Sequence, residues 1–100
     1  MYIIDIVLDT QKIPNNQAAS LLDAHRAWFA KYFQQGNFLI LGPYLDQTDA
    51  GVILAQAESR ADLEQILSED VYFDAKQAVY TVREFKAAMV ADNIATFQGK

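Results

Sequence analysis

The stretch SLLDAHRAWFAKYF, residues 20 to 33, contains the chain's single histidine, His25. Imidazole is the side chain best placed to take up and release protons near neutral pH, so acid–base chemistry is the first possibility to weigh. Ala18, Leu21, Leu22, His25, Trp28, Phe29 and Tyr32 recur at the spacing of one helical face. A polar ring on that apolar stripe must find a partner, because an unsatisfied buried donor costs about 1–3 kcal/mol. Spacing alone allows two readings: a satisfied structural histidine, or the working group of a site built on a greasy helix.

Other chemistries narrow quickly. The chain has no cysteine, which removes thiolate nucleophiles, disulfides and thiolate metal sites. One histidine excludes a multi-histidine zinc or iron site within one chain, although carboxylates could still hold a hard cation. No serine nucleophile is evident, so proton transfer fits better than acyl transfer. Asp46 and Asp49 read as turn residues, and Asp62 and Glu64 fall on the solvated side of a helix. No bound cofactor or metal is expected.

The formal charge is −5, and the eight Lys and Arg residues are scattered, which argues against a nucleic-acid partner. No apolar run approaches the ~18 residues of a membrane span. The N-terminus lacks a basic region and a cleavage site, and Asp5 interrupts its apolar run. A soluble cytoplasmic protein is the expectation. One hundred residues make a single domain, 1–100, with a C-terminal extension at about 87–100.

These side chains need a scaffold. Residues 2–8 are β-branched and aromatic and read as a strand. A loop with Pro14 follows, and Asn15 or Asn16 can cap a helix running from Gln17 to Gln35, which Gly36-Asn37 stops. Residues 38–45 form a second strand in which Gly42-Pro43 implies an edge, bulge or kink. A turn at 46–51 joins it to a third strand, 52–58, as a hairpin. Ser59 begins a capped helix, SRADLEQIL; a short segment, 69–76, precedes the last strand, 78–86. The order β-α-β-β-α-β predicts a ferredoxin-like α+β fold with a four-stranded antiparallel sheet.

Both helices of such a fold cover one face of the sheet, so the other should be polar in a monomer. Here Ile3 and Val7 flank Asp5 opposite Tyr2, Ile4, Ile6 and Leu8. Strict alternation sets Phe38, Ile40 and Tyr44 against Leu39 and Leu41, and Val52 and Leu54 against Ile53, Ala55 and Ala57. A sheet apolar on both faces calls for a second layer, either another copy in a two-fold dimer or residues 87–100 folded back. Asp5, pointing into that layer, is solvated in a cavity or paired, and is a secondary site candidate.

The segment AHRAWFAKYFQQGNFLILGPY resembles the helix and second strand of the YCII-related domain family: a helical histidine, a glycine at the helix end, and a strand with a Gly-Pro step. LSEDVYFDAKQAVYTVREFK is similar to that family's Asp-Pro-Phe/Tyr segment leading into the last strand. The likeness covers most of residues 1–86 in order and spacing. It implies a dimeric α+β barrel, related in fold to muconolactone isomerases. It also implies a pocket holding a proposed His-Asp pair, which in this sequence is His25 and Asp70. Gly42 and Pro43 match the strand motif at the pocket wall, and Tyr72 matches an aromatic position. Family members of known chemistry work on small hydroxylated or chlorinated rings, including elimination of chloride.

Two residues depart from the pattern: Val71 replaces the proline after the aspartate, and Lys76 stands where glycine is common. Loss of proline frees the backbone after Asp70 and leaves the carboxylate's orientation less fixed; Lys76 reads as a surface residue. A carboxylate on one imidazole nitrogen would set the tautomer and stabilise the imidazolium. His25 is therefore read as general acid or base and Asp70 as its orienter. Tyr72 or Tyr44 serves as a substrate contact, and Trp28, Phe29 and Tyr72 are the apolar walls. Three readings stand: a cofactor-free lyase or isomerase on a small cyclic or aromatic compound, a non-catalytic small-ligand or interaction module, and a cofactor-free monooxygenase.

Overall fold

The computed structural model describes residues 1–100. Its elements are β1 (Tyr2–Leu8), α1 (Ala18–Gln34), β2 (Phe38–Pro43), β3 (Ala50–Ala55), α2 (Arg60–Ser68) and β4 (Ala78–Glu84). The sheet order is β2-β3-β1-β4 with every neighbouring pair antiparallel, and the order of elements is the one the sequence predicts. The fold is ferredoxin-like α+β.

Local chemistry explains most of the boundaries. Ser59 is extended and its side chain accepts from the Asp62 N–H, relieving one of the free donors at the start of α2. Gly36 adopts φ +85°, and the N–H groups of Asn37 and Gly36 return to the carbonyls of Tyr32 and Phe33, a Schellman ending for α1. The start of α1 differs from expectation. Asn15–Gln17 forms a 3-10 turn, the cap residue is Gln17, and no side chain caps the helix. Pro14, whose carbonyl accepts from Gln17 N–H, provides the entry.

Strand β2 contains the other departure. Phe38 opposes Ala55 and Ile40 opposes Leu54, so Leu39 is the additional residue of a β-bulge. One extra residue inverts the side-chain phase. Phe38 is buried and Leu41 packs against the core, while Ile40 turns to the opposite face and is 45% exposed. The alternation that paired Phe38 with Ile40 is thus corrected.

The helix-facing layer is the core: Tyr2, Ile4 and Ile6 from β1 meet Trp28 and Tyr32 of α1 and Leu63, Ile66 and Leu67 of α2. The opposite face carries Ile3, Asp5 and Val7, with Val52 and Leu54 on one side and Val79, Thr81 and Arg83 on the other. Val79 there is 61% exposed. Residues 84–100 are exposed throughout, with Met89 at 94%, so the tail does not fold back over the sheet. No helix is long and apolar enough to cross a membrane.

Candidate functional site

One face of α1 is cross-linked to the chain that ends α2. The indole N–H of Trp28 donates to the Ile66 carbonyl at 2.9 Å, and Lys31 contacts Glu69 at 2.7 Å. The Tyr32 hydroxyl donates to the other Glu69 oxygen, and these two donors hold the Glu69 carboxyl below its ordinary value, Lys31 having the larger effect. One turn earlier, His25 Nδ1 lies 2.6 Å from Asp70 Oδ1. Positions 25, 28 and 32 are one stripe of the helix, so its periodicity alone brings all of these groups to residues 66–70.

The His25–Asp70 pair is buried, with side-chain exposures of 7% and 0%. The second Asp70 oxygen accepts from the Tyr80 hydroxyl at 2.6 Å. Two partners, His25 from α1 and the Tyr80 hydroxyl from β4, therefore fix the plane of the carboxyl group. The backbone adds to this: Asp70 N–H bonds to the Leu67 carbonyl, and its own carbonyl accepts from Phe73 N–H. Orientation is thus secured without the proline that Val71 replaces. Lys76 takes φ +55°, the left-handed region that favours glycine, which gives a physical reason for glycine at that step. Its side chain is exposed, as expected.

Aromatic rings enclose the histidine on its buried sides. Ring centroids lie 4.2 Å away for Phe29, 4.9 Å for Tyr72 and 5.7 Å for Trp28. His25 Nε2 makes no hydrogen bond within the chain, and no side-chain nitrogen or oxygen is both fully enclosed and unpartnered. That nitrogen is therefore accessible. His25 lines a cavity of about 580 Å³ between α1 and the β2–β3 hairpin, a volume suited to a small ligand. Leu22 and Phe29 of α1, Ile6 and Leu8 of β1, and Leu41 and Ile53 give it apolar walls.

The expected ligand contacts divide. Gly42, Pro43 and Tyr44 line the cavity along the hairpin. Trp28 and Tyr72, 4% and 1% exposed, do not: both rings are buried against the histidine, Trp28 from the inward stripe of α1 and Tyr72 from the turn after α2. Asp5 lies on the opposite sheet face, where it accepts the Tyr44 hydroxyl; of the two alternatives for it, pairing is the one found. That bond is the main reason the Tyr44 phenol is pushed above its ordinary value. Tyr72 is also pushed up, chiefly by burial, with Asp70 and Asp49 adding and Arg26 opposing. No three His, Asp or Glu side chains converge as a metal site would require.

Sequence reasoning missed Tyr80. A signal existed: Ala78, Tyr80 and Val82 alternate onto the core face of β4, and a buried phenol needs a partner. Burial, then the bond to Asp70, pushes its phenol far above the ordinary value of 10.0. A raised folded value means the unfolded phenol ionises first, so this contribution is complete below about pH 10 and is lost as pH rises further. Tyr80→Phe should cost about 1–3 kcal/mol at neutral pH, by leaving Asp70 Oδ2 without its donor. It should also flatten the fall in stability above about pH 10, as measured by urea unfolding across pH. Parallel stability curves for the two proteins would contradict this role.

The sequence matches the model of the YCII-related domain over residues 4–86. Curated proteins gave no match. Among solved structures, the chain is similar to 5-chloro-2-hydroxyhydroquinone dehydrochlorinase from Burkholderia phenoliruptrix AC1100 in complex with 2,5-dihydroxybenzoquinone. That likeness has TM-score 0.59 and 16% identity, covering 86% of this chain and 94% of the other. A candidate antibiotic biosynthesis monooxygenase from Nitrosomonas europaea gives TM-score 0.52 and 12% identity, with coverages of 85% and 98%. Another from Deinococcus radiodurans gives 0.52 and 16%, with coverages of 91% and 98%. At these identities the likenesses establish the fold alone, ferredoxin-like α+β. Because the family model runs from Ile4, within β1, past the end of β4, the chain belongs to the YCII-related domain family.

Proposed function

We propose that the protein is a small-molecule enzyme of lyase or isomerase type, with His25 and Asp70 as its acid–base pair and a small cyclic or hydroxylated aromatic compound as substrate. One observation carries the reading: a histidine on the wall of an apolar cavity whose Nδ1 meets a buried carboxyl while its Nε2 has no partner within the chain. The ring-bound complex of the Burkholderia dehydrochlorinase supports a flat ring as the ligand class.

The steps follow from proton bookkeeping. Nε2 accepts a proton from an acidic C–H or O–H of the ring compound, while Nδ1–H stays hydrogen-bonded to Asp70, which offsets the new positive charge. The electron pair left behind either expels an anionic leaving group or is reprotonated by Nε2–H at another atom. The first outcome is elimination and the second isomerisation. Leu22, Leu41 and Ile53 offer the ring an apolar surface beside His25. Gly42 and Pro43 are proposed as wall contacts for the ring, together with Tyr44.

The test is deuterium incorporation from D2O into a panel of hydroxylated aromatics and cyclic ketones, with products read by mass. Wild type should catalyse exchange or elimination on at least one member, and His25→Gln should lose about 10²–10⁴-fold of that rate. Equal rates in the variant would contradict the assignment. Binding without any turnover would favour a ligand-binding module.

We also propose that the exposed sheet face is covered by a second copy. Ile3, Val7, Val52 and Leu54 give it an apolar centre, and the tail leaves it uncovered. Sedimentation equilibrium should then report a dimer, and Leu54→Glu should shift it toward monomer. A monomeric wild type would refute the pairing.

A further inference from the structure

The cavity lining contains one guanidinium, that of the exposed Arg26. Leu22, His25, Arg26 and Phe29 stand at i, i+3, i+4 and i+7 along α1, and all four line the cavity. Arg26 is the only lysine or arginine in that lining, and it takes part in none of the chain's ion pairs. Asp49, from the β2–β3 turn, lines the same cavity without pairing to it. The cavity therefore has a cationic group beside the histidine and an anionic group on the hairpin.

Proton removal by His25 leaves negative charge on the bound compound, and a donor must face it. Tyr44 has its hydroxyl committed to Asp5. Gln47 and Thr48 are neutral. Arg26 is the one cationic donor in the lining, and a guanidinium binds a carboxylate through two parallel charge-assisted N–H bonds, which neutral donors do not match.

We propose that Arg26 is the anion anchor of the cavity, so that the compound presented to His25 is a ring bearing a carboxylate or an ionised phenol, with Asp49 turning its uncharged end toward the hairpin. The inference rests on the ring-binding reading above and adds the charge of the ligand. It makes Arg26 a specificity residue, one helical position from the acid–base group.

Matched pairs of ring compounds that differ only in charge provide the test: benzoate with benzamide, and 4-hydroxybenzoate with 4-hydroxybenzamide. Dissociation constants come from NMR titration of the His25 ring signals in wild type, Arg26→Gln and Arg26→Lys. The carboxylate member should bind wild type about tenfold or more tightly than its amide, as a charge-assisted bond implies. Arg26→Gln should erase that preference while leaving the amide's affinity in place; Arg26→Lys should keep part of it. Added salt should weaken only the carboxylate. Equal binding of both members to wild type, or an unchanged ratio in Arg26→Gln, overturns the anchor and leaves the ring site standing. If no compound of either pair moves the His25 signals, the ring site fails and the anchor falls with it.

Discussion

A carboxylate with no solvent exposure is the constraint around which the helical side of this protein is arranged. Asp70 sits in the turn after α2, and both of its oxygens would be expensive to bury without donors. It meets one partner from α1, His25 Nδ1, and one donor from β4, the Tyr80 hydroxyl. Three segments far apart in sequence are thereby committed to one point. Removing either partner leaves a buried polar group unpaired, so the pair has a structural role whatever else it does.

The neighbouring contacts keep that geometry in place. Trp28 bonded to the Ile66 carbonyl, and Lys31 and Tyr32 bonded to Glu69, set the height of α1 against the end of α2. Burial of Leu63, Ile66 and Leu67 beneath them holds α2 on the sheet. On the other side of the histidine the packing stops, and a cavity takes its place. One ring nitrogen thus meets a buried carboxyl, and the other has no partner within the chain, on a residue that lines the cavity.

Much of this was legible in the sequence, for physical reasons that can be named. Alternation and helical spacing follow from backbone geometry, so the order of elements, the Ser59 cap and the Gly36 stop could be read directly. The position of His25 on the inward stripe was equally plain. What could not be read depends on phase and on distance. The bulge at Leu39 inverts one strand by a single residue, and no local propensity marks it. Glu69, Asp70 and Asp74 look equivalent along the chain, and only the resemblance to the YCII-related domain singled out Asp70. Tyr80 stood ten residues beyond it, visible as a core-facing phenol but without a visible partner. Trp28 was assigned to the pocket because an inward stripe does not say which of its residues meet protein and which meet space, and Tyr72 because the resemblance gives an aromatic position without its surroundings.

The central claim is that Asp70 holds His25 in one tautomer with Nε2 free. With one histidine in the chain, a long-range ¹H–¹⁵N NMR spectrum of the neutral ring reads this directly. The account predicts a proton on Nδ1, an unprotonated Nε2, and a switch toward the Nε2–H form in Asp70→Ala. A wild-type ring already protonated at Nε2, or one whose tautomer ignores Asp70→Ala, would contradict it.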